Sequence, residues 1–191
     1  MPKVIFDISM SLDGYTTADP NPKGGMGEGG DSVHEWAFAS KDPKNAELLA
    51  RGGALGAIIA GRTTFDISID YWKENGPTGA ARVPIIVLTH EAPHDLPKDH
   101  VYTFVNNVAD AAENAKQVAG KKDVAVMGGE NIARQFLDAG LLDEVSVHIA
   151  PVLFGRGKRL FGEFDGKHVK LEPIEVINTK EAVHLRYRVI K

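Results

Sequence analysis

An apolar run that stops on two adjacent glycines and turns at once into a helix-like pattern, VAVMGGENIARQF at residues 124–136, constrains this chain more than any other stretch. The short Val-rich run reads as a buried strand, and glycines at its exit let main chain turn sharply or approach a ligand closely. On this stretch alone a plain strand-to-helix turn and a ligand cradle stand level. Two further runs end in the same manner. GAIIAG (56–61) leads into Arg62, Thr63 and Thr64, and PIIVLT (84–89) ends on Thr89 beside His90. Helix starts present unpaired N–H groups and a partial positive charge, so three such exits together describe an anion site built from Gly61, Arg62, Thr63, Thr64, Thr89, His90 and Gly128, Gly129, Glu130, Asn131, Ile132. It is neither a Walker loop nor the G-x-G-x-x-G fingerprint, because the lysine spacing and the third glycine are missing.

Strand and helix alternate along the rest of the chain. Lys3–Ser9 reads as a strand ending at the Leu12-Asp13-Gly14 turn, and Asp42–Gly53 as a helix with an N-cap, a proline at its first position and a Gly-Gly stop. Strands are expected at 101–105, 123–127 and 144–152 and helices at 109–119 and 130–139. Beyond the basic turn FGRGKRLF, the alternating segments 169–178 and 182–190 read as antiparallel strands. Residues 16–32, dense in glycine and proline, read as a mobile loop. The expectation is one α/β domain over 1–191, with a largely parallel central sheet whose ligands lie beyond the carboxyl ends of its strands.

Composition removes several classes of function. The 191 residues contain no cysteine, which excludes disulfides, thiolate metal sites and cysteine nucleophiles. A net charge of −4 without a Lys/Arg stripe argues against nucleic acid. No run approaches the roughly 20 apolar residues of a membrane span, and the start MPKVIFDIS does not resemble a signal peptide, so no membrane partner and a cytoplasmic address are expected.

Read in order, SLDGY (11–15), AIIAGRTTF (57–65), IIVLTH (85–90) and VMGGENIARQFLDAGLLDEVSVHIAPVLFGRGKRLF (126–161) resemble the dihydrofolate reductase superfamily. The closest likeness is to its branch similar to the C-terminal reductase domain of riboflavin biosynthesis. The resemblance covers nearly the whole chain. It implies a dihydrofolate reductase-like α/β fold with helices on both faces of the sheet and a homodimer. It also implies an NADPH-dependent reductase acting on a small planar heterocycle, pteridine- or pyrimidine-like, or a related carbonyl or imine. By position, Gly61 to Thr64 would grip the diphosphate and adenosine side, Arg62 with Thr89 and His90 the 2′-phosphate, and Gly128 to Ile132 the diphosphate and nicotinamide. Ser9, Met10 and Thr16 would lie near the nicotinamide, the 17–32 loop would close over it, and the Gly128–Gly129 peptide would be cis. No deaminase-like segment precedes this region, so a standalone reductase is expected. The alternative is a protein on the same fold that binds a nucleotide or small ligand without turnover.

Hydride transfer also needs a proton. HEWAF (34–38) resembles the superfamily's acid-bearing segment with Trp36 in the tryptophan position, but Val33 stands where its carboxylate would be, with Asp31 and Glu35 nearby. Asp7 shares a strand face with Ile5 and Ser9 and is the candidate substrate anchor or proton source, against a structural, paired acid. Asp13 is a second catalytic candidate, against a cap of the Asp-Gly turn. Trp36 and Trp72 are candidates for stacking on a flat substrate, with Asp31 beside them, against core packing; core is favoured for Phe38. GRGKR (155–159) reads as a substrate-phosphate site or a solvated hairpin tip. The only cluster of histidines visible in the sequence, His90, His94 and His100, lacks metal-ligand spacing, so no metal is expected.

Overall fold

The computed structural model describes residues 2–20, 25–162 and 168–191. Its centre is an eight-stranded sheet. In chain order the strands are β1 (Val4–Ser11), β2 (Ala57–Gly61), β3 (Ile85–Leu88), β4 (Tyr102–Val105), β5 (Val124–Met127), β6 (Glu144–Ala150), β7 (Leu171–Asn178) and β8 (Val183–Val189). In space they run β4-β3-β2-β5-β1-β6-β8-β7. The first six are mutually parallel, while β8 lies antiparallel to β6 and β7 antiparallel to β8. The mostly parallel sheet with antiparallel C-terminal strands is therefore the one expected.

Period-two alternation divides the buried side chains between two faces. On one face Val4, Phe6, Ile59, Ile86, Val124 and Val126 pack against α4 (Val108–Ala119) and α5 (Glu130–Asp138), whose apolar positions include Ala111, Ala115, Ile132 and Phe136. On the other face Ile58, Ala60, Ile85 and Val87 pack against Phe65, Ile69 and Trp72 of α3 (Arg62–Trp72). The same face carries a 3-10 turn (Gly30–His34), α1 (Glu35–Phe38) and α2 (Pro43–Gly53) farther along. Helices thus cover both faces. Asp42 caps α2 by accepting from the Lys44 N–H, with Pro43 at the first helical position. Asn107 caps α4 by accepting from the Asp110 N–H.

Along β1 the two faces differ in chemistry as well as direction. Val4 and Phe6 are buried and apolar, whereas Asp7, Ser9 and Ser11 point the other way. There β1 meets β6 with Asp7 opposite Ser146 and Ser9 opposite His148. β8 continues the row, placing His184 opposite His148 and Arg186 opposite Ser146. Between α3 and the α1–α2 segment this face is uncovered. The gap is the floor of a cleft.

The segment expected to be a mobile loop at 16–32 contains residues 21–24, which lie outside the described residues. Its described start is anchored: Thr16 and Thr17 are buried, the Thr16 N–H donates to the Lys158 carbonyl, and the Lys158 N–H donates to Thr17 Oγ1. The GRGKR stretch is mostly exposed, yet it is tied to the 15–17 segment. Arg159 bridges to Tyr15 and its guanidinium lies 4.8 Å from the centre of the Tyr15 ring. Among the described residues no helix is long and apolar enough to cross a membrane.

Candidate active site

The cleft has a volume of about 2070 Å³. That exceeds the few hundred to ~1,000 Å³ typical of a pocket for one drug-sized ligand, so it has room for a dinucleotide and a second, smaller molecule. One end is built by the exits of three adjacent strands. Gly61 pairs with Leu88 and Ala60 with Met127, so β2, β3 and β5 finish level with one another. Their following residues, Gly61 to Thr64, Thr89 and His90, and Gly128 to Ile132, line the cleft together. Residues from three distant parts of the sequence meet as expected.

Two of those exits are helix starts, and neither α3 nor α5 has a side chain capping its first N–H groups. Such amides remain available to an acceptor from outside. Gly128 carries φ +140, and a Cβ built there would lie 2.9 Å from Ile132 Cγ2 and 3.1 Å from Thr64 Oγ1. Only glycine leaves that floor open. The Gly128–Gly129 peptide is not the cis bond expected, because no peptide among the described residues is cis. Close approach comes instead from the left-handed glycine and its missing side chain.

Arg62 ties the β2 and β3 exits together. Its Nε donates to Asp66 Oδ1 at 2.7 Å and its Nη1 to the Glu91 carbonyl at 2.7 Å and Thr89 Oγ1 at 3.3 Å. Its charge is thus partly answered by Asp66 one turn along α3. His90 is exposed at the same rim, and Lys158 and Arg159 line the cleft.

The opposite end is a buried polar cluster. Trp36 is 8% exposed, and its indole Nε1–H donates to Ser9 Oγ at 2.9 Å, so the ring packs as a lid on the sheet. It lies 4.2 Å from the His148 ring and 5.0 Å from the His184 ring, centre to centre. Nδ1 of His148 is 2.7 Å from Nδ1 of His184, and Nε2 of His148 is 3.4 Å from Asp7 Oδ1. His184 Nε2 faces Asn45 Oδ1 at 2.9 Å. Both histidines are buried, while the Asp7 side chain is 42% exposed to the cleft. Burial works against the charged form of Asp7, but hydrogen bonds from His148 and Ser146 and the charges of His148 and Arg186 outweigh it. They hold its carboxyl below the usual carboxylate range. Burial, then repulsion from His148, lowers His184 to about 4, and burial likewise lowers His34.

Several expected site residues are relocated. Asp13 is not at the cleft: Oδ1 accepts from Ser11 Oγ at 2.6 Å and Phe154 N–H at 3.1 Å, and Oδ2 from Gly155 N–H at 2.7 Å. It locks the first turn to the 151–157 segment, and its bond from Ser11 is the main cause of a pKa lowered to about 2. Met10 points to the α4–α5 face and packs against that core, because alternation sends it opposite to Ser9. Ser9 and Thr16 line the cleft with their hydroxyls already engaged, by Trp36 and by the Lys158 carbonyl. Trp36 and Trp72 line the cleft while packing as core, Asp31 lies exposed at its edge, and Val33 is fully buried. Glu130 lies against Gly162, where a Cβ would collide with its carboxylate. Among the described residues no group of three His, Asp or Glu could hold a metal ion.

The histidines that come together are not His90, His94 and His100 but His148 and His184, with His34 close by. Alternation along 144–152 and 182–190 puts each on a definite face, but only the pairing of β8 with β6 sets them opposite one another.

The family pattern described as the RibD C-terminal domain matches residues 2–185. An uncharacterized protein of Bacillus subtilis strain 168, YyaP, is 24% identical over 165 residues, which is 83% of this chain and 80% of that one. Among solved structures, a putative riboflavin biosynthesis protein from Shewanella sp. PV-4 aligns over 100% of both chains with a TM-score of 0.69 and 22% identity. A pyrimidine reductase-like protein from Corynebacterium diphtheriae aligns over 100% of this chain and 92% of its own, with a TM-score of 0.65 and 17% identity. The Thermotoga maritima diaminohydroxyphosphoribosylaminopyrimidine deaminase/5-amino-6-(5-phosphoribosylamino)uracil reductase aligns over 99% of this chain but 57% of its own, with a TM-score of 0.67 and 14% identity.

Proposed function

This chain belongs to the RibD C-terminal domain family, and we propose that it is an NADPH-dependent reductase of a small planar heterocycle or a related carbonyl or imine. The observation that carries this reading is the meeting of three strand exits, two of them uncapped helix starts, around a glycine-floored rim. The donor set fits a dinucleotide. Main-chain N–H groups at Gly61 to Thr64 and Gly128 to Ile132 would hold the diphosphate, and Arg62, Thr89 and His90 the 2′-phosphate. A reduced nicotinamide supplies the hydride, which is chemistry no side chain of the twenty can supply.

The chain's own residues then have three tasks. Gly128 would leave room for the nicotinamide end of the cofactor at the β5 exit, Trp36 and Trp72 would give a flat substrate an apolar wall, and Asp7 would face the substrate as hydrogen-bond anchor and proton donor. Asp7, from a strand at the floor, would meet the side of the substrate opposite to the rim. Loss of NADPH absorbance with a panel of pteridines and pyrimidines tests the activity, and calorimetry with NADPH alone tests the cofactor site. Uptake without turnover on any of the panel would favour a binding protein, and no uptake at all would remove the dinucleotide reading.

A homodimer is proposed through the outer strand β7, where Leu171, Ile174 and Val176 are 43%, 43% and 64% exposed. Sedimentation of the wild-type chain and of Val176→Lys checks it, with a monomeric wild type as the contrary result.

A further inference from the structure

Reduction of a C=N or C=O bond consumes one hydride at carbon and one proton at the heteroatom. Resting on the reductase reading above, we infer that His148 is the proton store behind Asp7, and that His184, Asn45 and Glu181 are positioning residues that fix which ring nitrogen carries that proton.

The order of donors can be derived from the far end. Glu181 Oε2 accepts from Ser40 Oγ at 3.0 Å and from Asn45 Nδ2 at 3.1 Å, and Asn45 Nδ2 also reaches Ser40 Oγ at 2.9 Å. An ionised carboxylate only accepts, so the amide nitrogen of Asn45 must face Glu181 and its oxygen must face His184. An amide oxygen also only accepts, hence His184 Nε2 carries hydrogen. A neutral imidazole has one N–H, which leaves His184 Nδ1 bare. Across 2.7 Å from it stands His148 Nδ1, which must therefore be the donor. The remaining nitrogen, His148 Nε2, points at Asp7 Oδ1.

With His148 neutral and Asp7 ionised, two lone pairs would face one another there. One proton between Oδ1 and Nε2 removes that repulsion, whichever atom it rests on. At 3.4 Å the contact is long for a strong hydrogen bond, so the proton is held without being locked. Surrounding groups support the charge-separated arrangement: Arg186 of β8 and Ser146 of β6 favour ionised Asp7, and the Trp36 ring face covers His148. His34 of the 3-10 turn and His148 repel one another when charged, and Asp7 and then Asp42 favour positive charge on His184 but do not overcome its burial.

The step balances as follows. A hydride supplied by a reduced nicotinamide bound at the rim would form the new C–H bond as the double bond's electron pair moves to the heteroatom. Asp7 passes the stored proton to that atom, leaving Asp7 ionised and His148 neutral with its Nδ1–H still held by His184. Solvent in the cleft, to which the Asp7 side chain is exposed, returns one proton to the pair.

Nitrogen-15 labelling of the histidines in the full chain tests the arrangement without substrate. Long-range proton–nitrogen correlations are expected to show His184 as the Nε2–H tautomer, His148 with hydrogen on Nδ1, and an Asp7→Asn variant in which the His148 Nε2 resonance moves. An Nδ1–H tautomer at His184, or a His148 Nε2 insensitive to Asp7→Asn, overturns the proposal. With an active substrate, His148→Gln is expected to lower turnover roughly 100-fold, change the pH dependence of turnover and leave NADPH affinity within about twofold. Unchanged turnover with an unchanged profile also overturns it. Should His148→Gln fail to fold, Asp7→Asn, which faces the cleft, carries the same turnover and pH readouts. If the correlations hold while every substrate fails, the substrate reading falls and the proton store stands.

Discussion

At the β2–β3–β5 end of the cleft, the polar groups are main-chain amides and side chains supplied by three short contiguous motifs. At the β1–β6–β8 end they are side chains 27 to 141 positions apart, linking Ser9 to Trp36, His148 to His184, His184 to Asn45 and Asp7 to His148. The first end leaves helix N-termini uncapped, as a site awaiting an anion must. The second is already satisfied: among the described residues no buried side-chain nitrogen or oxygen lacks a partner. One end is shaped to take a ligand's charge, the other to keep its own. The two should therefore respond independently to mutation and to pH.

The largest effect that would break this separation comes from Gly128→Val. A side chain at φ +140 is strained by about 1–3 kcal/mol, and it also meets Ile132 and Thr64. Dinucleotide affinity measured by calorimetry is expected to fall by on the order of 100-fold, while the pH dependence of stability stays as in the wild type. A changed pH dependence would show that the two ends are coupled.

Next is the pH dependence itself. The folded chain keeps His184 neutral to about pH 4, whereas in the unfolded chain it protonates near the ordinary histidine value of 6.5. As pH falls from 6.5 to 4, the unfolded state gains a proton that the folded state does not, so stability falls; it is full above 6.5. About 2–3 kcal/mol is at stake. Asp7, Asp143 and Glu175 are held below the ordinary carboxylate range, so their losses come at lower pH. His184→Gln, whose amide offers one donor and one acceptor, should flatten that window in urea melts at several pH values. His34 is lowered in the same direction, and His34→Gln provides the comparison; a full slope surviving in both variants would contradict the assignment.

The same division explains what could be read before the structure. The three strand exits were legible because each is a contiguous motif in which a Val/Ile run, a glycine or hydroxyl and a helix start follow one another. Parallel order then sets them level. The capped helix at Pro43 and the alternating C-terminal segments were legible for the same local reason. The histidine pair was not, since His148 and His184 meet only because β8 inserts between β6 and β7. Asp7 could be assigned to a face by alternation, but not its partner. The resemblance puts Met10 with Ser9 near the nicotinamide, but alternation along β1 sends the two to opposite faces.

A smaller effect sharpens the description of the ligand end. Arg62→Ala should weaken NADPH binding by about tenfold, the equivalent of one charge-assisted hydrogen bond tempered by the nearby Asp66, and leave NADH binding nearly unchanged. Equal losses for both cofactors would move Arg62 from the 2′-phosphate to the shared diphosphate.

The smallest effect concerns Asp13, which belongs to neither end. Its carboxylate accepts from Ser11 Oγ and from the N–H groups of Phe154 and Gly155, so it joins the turn after β1 to the segment after β6. Because its folded pKa is lowered to about 2, the stability it adds is present above the ordinary aspartate value and is lost as pH falls through about 2. In Asp13→Asn one acceptor oxygen becomes an NH2 group facing an N–H donor, so the loop join weakens at every pH and the acid limb between pH 4 and 2 becomes shallower. Asp13 does not line the cleft, so NADPH affinity and turnover at neutral pH should stay within about twofold. A loss of turnover as deep as that expected for His148→Gln, in a variant that melts normally, would return Asp13 to the chemistry and make the 151–157 segment part of the active site.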